Sequence, residues 1–536
     1  MIKKKYLFSA LISGVLLSLP WLIQSLSWPL FFAFVPLLMA EDRILQQKQK
    51  GTLRSLYLLA FFAFLLWNLL TTWWIGYVSV SGMLLIVILN ALLMAAVWSA
   101  RYMVNRHVVP EPGALTLPVF WLAFEFLHHH WTLQWPWLTL GNGFANLPEI
   151  IQWYEFTGVL GGSLWILVIN MLIFRLIKKF TGKLDREIIR LTFFILIVFL
   201  MPLSWSLYQY FNYSEAGPSQ EVVVVQPNLN PYNEKFAGIS PEEQVSRVVS
   251  QARSVVSPLT QIILAPETAL PDLWEDSVQT KKFMKPVFEL FHDFPGVGFI
   301  AGAITQRKLD ENEAFSGTAR QSADQKCIYD AFNSALMINQ SGIQIGHKQI
   351  LVNGVEKMPF QEYLSFFQKY MLQLGGTSGR LAEGQDPILF SGGKGVEIGA
   401  VICFESAFGN HVRKLAMEGA NLLVVLTNDG WWKNSPGCWQ HFIYSKLRAI
   451  ENRRSVVRSA NTGISGIIDQ RGKVRMKTET DKKTVLVSSV YLNDAVTFYS
   501  RYGDYLGLAA VVCSGIIFIY RLLIRNRHKK SALIRL

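Results

Sequence analysis

Lysine and arginine are missing from three short loops of this chain, around residue 25, at 76–81 and at 129–156. The chain carries 51 such residues, so their absence from every one of these loops is a pattern with a cause. Cysteine is also scarce. Cys327, Cys403, Cys438 and Cys513 are too few for a disulfide scaffold; a Cys327–Cys438 bridge is formally open, but nothing in the spacing supports it. Metal-ligand spacing is absent as well. His128, His129 and His130 are consecutive, not spaced to converge on one ion, and read as polar residues at a membrane edge. Neither a metal nor another cofactor is expected. No small-residue cleavage site follows the first apolar stretch, so it reads as a retained span and not as a signal peptide.

What the chain has in quantity is apolar length. A bilayer core takes roughly 20 apolar residues as helix. By that measure eight spans are predicted, near 6–24, 26–41, 55–75, 82–104, 114–128, 157–177, 190–209 and 503–524, the second and fifth being short. The segments between them on one side hold 21 basic residues, from Lys3, Lys4 and Lys5 through Arg43, Arg101 and Lys178 to the basic tail, against five acidic ones. Basic residues mark the cytoplasmic side. The N-terminus therefore reads as inside, and residues 218–495 as outside the cytoplasmic membrane. These inside segments more than account for the whole-chain charge of +13, so nothing in composition supports nucleic-acid binding. Three regions follow: a seven-span N-terminal membrane domain at 1–217, an extramembrane domain at 218–495, and a last span with a basic tail at 496–536.

The extramembrane block is built of short apolar runs with helical stretches between them. Val222–Val225, Ile262–Ala265, Gly298–Ala303, Ala335–Asn339, Val396–Cys403, Leu422–Thr427, Ser455–Ser459 and Gly463–Ile468 read as strands. The stretches at 241–256, 406–418 and 439–452 read as helices, which implies a sheet covered by helices. Polar groups collect just after the strands: Gln226-Pro227-Asn228, Pro266-Glu267, Cys403-Phe404-Glu405 and Asn428-Asp429-Gly430-Trp431-Trp432. That is a catalytic edge written in one dimension.

Three residues fit one acyl-transfer site. Cys403 ends an apolar run as a nucleophile would, Glu267 can take its proton, and Lys348 in Gly346-His347-Lys348 can hold an oxyanion. A lone cysteine ending an apolar strand is more often a small buried hydrophobe. The carboxylate and lysine in order along the chain change that balance.

These residues resemble the carbon–nitrogen hydrolase (nitrilase) superfamily, and the membrane spans narrow the resemblance to its apolipoprotein N-acyltransferases. Further similarities are Trp135-Pro136-Trp137-Leu138 with Gly141, Gln440-His441, Arg448-Ala449-Ile450-Glu451, Arg458-Ser459-Ala460-Asn461-Thr462-Gly463 and Thr497-Phe498-Tyr499-Ser500-Arg501. The resemblance implies a four-layer αββα sandwich, a Glu267-Lys348-Cys403 triad, and a membrane domain of seven spans before it and one after. It implies transfer of an acyl group from a membrane phospholipid to the N-terminal diacylglyceryl-cysteine of an apolipoprotein, the final step of bacterial lipoprotein maturation. The location it implies is the inner membrane with the catalytic domain periplasmic. The family stretch Tyr-x-Lys-x-x-Leu-Val-Pro-Phe-Gly-Glu here keeps Lys348 and Glu356 but has Asn353-Gly354-Val355 in place of Pro-Phe-Gly. Phe404 stands where Tyr is common, and Phe236 where the family has a tryptophan.

Around the triad, Glu356 either holds Lys348 or is a solvated loop carboxylate. Glu405 either orders the nucleophile loop or caps the next helix, and Arg448 with Glu451 reads as a structural ion pair. Asn428 belongs to the same motif group as the triad. Trp431 and Trp432 either line an acyl pocket or pack at the membrane surface. Phe360, Tyr363, Leu364, Phe367, Tyr370, Met371 and Leu374 share one face of a predicted helix, either a membrane lid or a core helix. Two rival functions stand beside the acyltransferase: a membrane-tethered amidase or nitrilase, and a non-catalytic lipoprotein-binding relative. Eight spans are superfluous for a soluble substrate, and an intact triad is superfluous for a binder.

The topology is testable by itself. Single-cysteine labelling with a membrane-impermeant maleimide is expected to reach Ser322→Cys from outside and positions in 43–54 and 178–190 only after the membrane is opened. Labelling of Ser322→Cys from the cytoplasmic side alone would reverse the orientation.

Overall fold

The computed structural model describes residues 3–47, 51–108, 116–180, 182, 184–230, 234, 238–310, 317–322, 325, 327–358 and 380–533. Phe236 and the predicted helix at 360–374 lie outside these described residues. The chain divides into two units, Met1–Asn212 with Tyr502–Leu536, and Tyr213–Arg501.

The first unit is helical: α1 (Lys4–Leu22), α2 (Val35–Gln46), α3 (Thr52–Thr72), α4 (Val80–Val108), α5 (Thr116–His129), α6 (Tyr154–Lys179), α7 (Arg186–Asn212) and a C-terminal helix, Tyr505–Leu533. Six of these eight are long and apolar enough to cross a membrane. The other two are α2 and α5, with 12 and 14 residues. At 1.5 Å per residue they reach about 18 and 21 Å, short of a core of about 30 Å. In α2 the cause is local, because Pro36 fixes the helix start only after the turn Trp28–Phe32.

Several buried polar side chains of the helical unit are paired across helices. Arg101 of α4 pairs with Glu41 of α2, both almost fully buried, and its guanidinium lies 4.6 Å from the Trp98 ring. The next residue, Asp42, takes Lys178 of α6 at 2.9 Å, so consecutive acids clamp α2 to two neighbours. Asn90 Nδ2 donates to Asn68 Oδ1 at 2.7 Å, His128 Nε2 meets Asn90 Oδ1 at 3.1 Å, and Trp131 Nε1 donates to His128 Nδ1 at 2.9 Å. His128 is thus a buried member of a side-chain chain that runs from buried Asn68 and Asn90 out to exposed Trp131.

The second unit contains two sheets. The first is built from β1 (Ser219–Gln226), β2 (Thr260–Leu264), β3 (Leu273–Trp274), β4 (Gly298–Lys308), β5 (Arg320–Gln321), β6 (Ile328–Asn339), β7 (Gly342–His347) and β14 (Thr484–Tyr491). Its order is β14-β1-β2-β4-β6-β5, with β3 beside β4 and β7 beside β6. The second takes β8 (Leu389–Gly393), β9 (Val396–Ile402), β10 (Leu422–Thr427), β11 (Ser455–Ala460), β12 (Gly466–Ile468) and β13 (Val474–Lys477), in order β13-β12-β11-β10-β9-β8.

Strand side chains alternate between faces, so one apolar run builds two cores. Val222 and Val224 of β1 join Ile398, Ala400, Leu422 and Val424 between the sheets. Val223 and Val225 face the other way, onto Val245 and Val248 of α8 (Pro241–Arg253). Helices α10 (Gly409–Met417) and α11 (Pro436–Asn452) cover the second sheet, while α8 and α9 (Lys285–Asp293) cover the first. The layers are αββα, as the sequence implied.

Strands β1, β2 and β4 are parallel, as are β9, β10 and β11. Strand β7 is antiparallel to β6, and β6 to β4, so β7 runs in the direction of β4. Glu267 and Lys348 therefore follow strands that end at one edge of the first sheet. Cys403 and Asn428 follow strands that end at one edge of the second.

The Glu41–Arg101 pair gives the first structural test. Removing one buried partner strands the other's charge and costs about 3–5 kcal/mol, whereas replacing both with apolar groups is close to neutral. Arg101→Leu is expected to lower the melting temperature of the detergent-solubilised protein markedly, and Glu41→Leu added to it to restore most of the loss. A double variant no more stable than Arg101→Leu would contradict this account.

Candidate active site

Strand β9 runs into Cys403, whose φ is +54°. A residue with a Cβ pays roughly 1–2 kcal/mol for a left-handed backbone, so neighbouring groups must hold it there. Two of them bind its carbonyl: Ser406 Oγ donates at 2.8 Å, and His441 Nε2 lies at 3.0 Å. The turn Cys403–Ala407 then leads into α10.

Glu267 is placed by a similarly tight passage. Ala265 N–H donates to Ile300 O at 2.7 Å and Gly302 N–H to Pro266 O at 3.0 Å, which sews the segment after β2 onto β4. Gly302 cannot carry a side chain here, because a Cβ would lie 2.7 Å from Glu267 Cα and 2.6 Å from Thr268 N.

Lys348 follows β7, with its N–H on Asn333 O at 2.8 Å and its side chain almost wholly buried. Its Nζ lies 3.0 Å from Glu356 Oε1, 2.9 Å from Glu356 Oε2 and 3.6 Å from Glu267 Oε1. Burial works against the ammonium, but Glu356 and then Glu267 outweigh it and hold Lys348 above the ordinary lysine range. Glu356 is itself buried, and its Oε2 also accepts Val352 N–H at 2.8 Å, so it is a lysine partner and not a solvated loop group.

Asn333, in mid-strand on β6, binds both acids. Its Nδ2 donates to Glu267 Oε1 at 2.8 Å and to Glu356 Oε1 at 2.7 Å. One amide and one ammonium thus hold two buried carboxylates together. The Cys403 thiol feels all of this: burial first, then the Glu267 carboxylate, pushes it well above the usual thiol range, while Lys348 pulls it down. Burial and the Glu267 carboxylate thus favour the neutral thiol.

Glu405, fully buried, neither caps α10 nor meets solvent. Its Oε1 accepts Gln349 N–H at 2.7 Å and Ile350 N–H at 3.0 Å, and its Oε2 accepts Ile402 N–H at 2.8 Å. It ties the loop after Lys348 to the strand end before Cys403. Asn428 Oδ1 accepts Asn461 Nδ2 at 3.1 Å, and Asn461 holds both the N–H and the carbonyl of Leu229, so this residue joins three strand ends. Phe404 is half-buried, edge-on to Phe408 at 5.1 Å. Trp431 and Trp432 are half-buried, and Trp432 stands edge-on to the His441 ring at 5.5 Å. Arg448 and Glu451 form a buried pair at 2.9 Å.

Sequence reasoning assigned no role to Asn333, Thr427, Asp429, His441 or Arg458. Asp429 Oδ1 lies 2.8 Å from His441 Nδ1 and accepts Thr427 Oγ1 at 2.8 Å, and Asp429 Oδ2 accepts Arg458 Nη2 at 2.8 Å. Against burial, Arg458 and then His441 hold the Asp429 carboxyl down at about 2. The sulfur of Cys403 and ligand atoms of Asp429 and His441 lie within 4.8 Å of one another, a metal-like grouping. The Arg458 guanidinium, 2.8 Å from Asp429 and 2.9 Å from His441 Nδ1, already supplies the cation there. The four cysteines are all free thiols.

Residues 13–172 match the apolipoprotein N-acyltransferase N-terminal domain, and residues 233–498 match the carbon-nitrogen hydrolase domain. The chain belongs to the apolipoprotein N-acyltransferases. It is 29% identical to the apolipoprotein N-acyltransferase of Chlorobaculum tepidum, over 98% of this chain and 97% of that one. It is likewise 29% identical to that of Geobacter metallireducens, over 96% and 95% of the two chains. Among solved structures, Saccharomyces cerevisiae Nit3 of the nitrilase superfamily aligns at 14% identity and a TM-score of 0.37, over 54% of this chain and 96% of its own.

Glu405 offers a direct test of the site's frame. Glu405→Ala leaves three N–H groups without their acceptor, and for the buried one, on Ile402, the cost is about 1–3 kcal/mol. In Glu405→Gln one acceptor becomes a donor facing either Ile402 N–H or the Gln349–Ile350 pair. Both variants are expected to lower the melting temperature, Ala more than Gln, and to slow thiol acylation. An unchanged melting temperature in Glu405→Ala would remove this residue from the frame.

Proposed function

We propose that this chain N-acylates the N-terminal diacylglyceryl-cysteine of apolipoproteins, taking the acyl group from membrane phospholipid through a thioester on Cys403. The observation that carries the mechanism is the buried Glu267–Lys348–Glu356 group beside a thiol whose pKa is raised. In the first step Glu267 takes the Cys403 proton, and the sulfur attacks the ester carbonyl. Lys348 stabilises the tetrahedral oxyanion, together with a backbone N–H near Cys403. The intermediate collapses with loss of the glycerol oxygen, which receives the proton from Glu267 and departs as lysophospholipid. In the second step the lipoprotein amine attacks the thioester, Glu267 removes the amine proton, and the Cys403 sulfur leaves and is reprotonated.

A thioester suits this exchange because it is more reactive to amines than the oxygen ester it came from. Both substrates carry fatty chains, which gives six long apolar helices a purpose that a soluble amide would not. We place the enzyme in the bacterial inner membrane with the catalytic unit on the periplasmic side, in keeping with the loop charges.

Incubation of the purified protein with phospholipid is expected to add one fatty-acyl mass to the peptide containing Cys403. A diacylated lipopeptide should then discharge it as an N-acyl product. Release as free fatty acid, with no transfer, would favour the hydrolase reading. Cys403→Ala is expected to abolish both steps while leaving the fold intact, since it removes one sulfur atom from the core. An alanine variant that still acylates the lipopeptide would refute the mechanism.

The base and the oxyanion donor differ in their response to pH. Glu267→Gln and Lys348→Met should each slow acylation at least about a hundredfold at neutral pH. The raised thiol pKa means that little thiolate exists there without a base. The rate of Glu267→Gln should therefore climb with pH, about tenfold per unit below the thiol pKa. Lys348→Met should stay slow throughout. Equal rescue of both variants would erase this assignment of roles.

A further inference from the structure

Beneath Cys403 lies a polar cluster that the reaction above does not use. His441 is wholly buried on α11, as are Asp429 and Arg458, so none of the three can touch a lipid or a peptide amine. What His441 does touch is the nucleophile's own backbone. Its Nε2 is 3.0 Å from Cys403 O and 2.9 Å from Ser406 Oγ, and Ser406 Oγ donates to the same carbonyl at 2.8 Å. A carbonyl can only accept, so the His441 contact is a bond when Nε2 carries a proton. On the far side of the ring, the Nδ1 of that tautomer accepts from Arg458 Nη2 at 2.9 Å, and Arg458 Nη2 also donates to Asp429 Oδ2 at 2.8 Å. The cluster is itself immobilised: Arg458 Nε donates to Ile464 O at 3.2 Å, and Gly463 packs so closely that a Cβ would lie 2.5 Å from Asp429 Oδ2.

We infer that His441, anchored by Asp429 and Arg458, is a positioning residue that locks Cys403 in its left-handed backbone conformation and thereby aims the thiol. A strained φ persists only where its surroundings over-determine it. Here the carbonyl that would rotate on relaxation is gripped by two groups, and the grip passes through the imidazole to a buried guanidinium–carboxylate pair. If the peptide relaxed to an extended conformation, the sulfur would swing away from Glu267 and Lys348. The inference rests on Cys403 being the nucleophile, and the tests below separate the two claims.

His441→Leu removes the donor at similar bulk, whereas His441→Gln keeps an N–H near the Nε2 position. Single-turnover acylation by phospholipid is expected to fall at least about thirtyfold in His441→Leu, with the phospholipid KM unchanged. The Gln variant should stay within about fivefold of wild type, because orientation is lost only when the donor is lost. A loss in His441→Leu of less than about threefold, or an equal loss in both variants, would overturn the proposal. A second comparison needs neither variant to fold. At position 403, Gly accepts φ +54° without strain and Ala does not, so Cys403→Gly should melt at or above Cys403→Ala despite the greater chain entropy glycine loses on folding. A glycine variant that melts clearly below the alanine one would show that no strain is held there. Neither melting result depends on which residue is the nucleophile, which Cys403→Ala decides by activity.

Discussion

Everything at the catalytic edge depends on one buried ammonium shared between two carboxylates. Lys348 has almost no solvent and must therefore be paired, and Glu356 alone would pair it with both oxygens at about 3 Å. Glu267 is a second acid against the same cation, at the longer 3.6 Å. Two carboxylates facing one ammonium leave the group one positive charge short, a deficit that a proton removed from the thiol can fill. The Asn333 amide makes this arrangement tolerable, since it donates to both acids without adding charge. Because it holds each carboxylate by one oxygen, the asymmetry persists: Glu356 is committed to the lysine, and Glu267 is held less tightly by it.

Fold topology makes this concentration of charge feasible. Parallel strands gather their C-terminal ends at one edge, and the residues following β2, β7 and β9 are the ones the proposed mechanism uses. The strands behind them are apolar on both faces, so a polar residue within a strand has to be satisfied where it lies. Asn333 meets this through its Nδ2 and Arg458 on β11 through its Nε and Nη2, while Asn333 Oδ1 and Arg458 Nη1 are buried without a partner among the described residues. Glu405 connects the two sides of the site, because its carboxylate binds backbone N–H groups on each.

The helix-covered sheet and the polar edge were legible in the sequence because they rest on local patterns, whereas the four-layer arrangement was implied by the resemblance alone. Apolar runs at strand length and polar residues immediately after them gave Glu267, Cys403 and Asn428 their places. Asn333 was illegible for the opposite reason. It sits within an apolar strand read from Ala335 onward, and its meaning lies in two carboxylates 66 and 23 residues away in the chain. His441 appeared only as a motif residue, since nothing local says that its ring reaches a carbonyl 38 positions earlier. In the helical unit, apolar composition read 26–41 as one span, whereas the turn Trp28–Phe32 precedes α2 (Val35–Gln46). Hydropathy counts apolar residues wherever they lie, while proline and turn geometry decide where a helix starts.

The loop between Lys348 and Glu356 shows what a motif has to preserve. Asn353-Gly354-Val355 replaces Pro-Phe-Gly, yet Glu356 still returns to the lysine. The turn closes through Val352 O, which accepts Glu356 N–H at 2.9 Å, and through Gly354 N–H on Lys357 O at 2.8 Å. Gly354 has a φ of +82°, which glycine adopts without strain, and this reversal supplies the tight bend. Val352 N–H on Glu356 Oε2 then fixes the carboxylate from behind. The chemistry therefore constrains the two ends of the loop and the number of residues between them. The three central residues are constrained by the bend they must make.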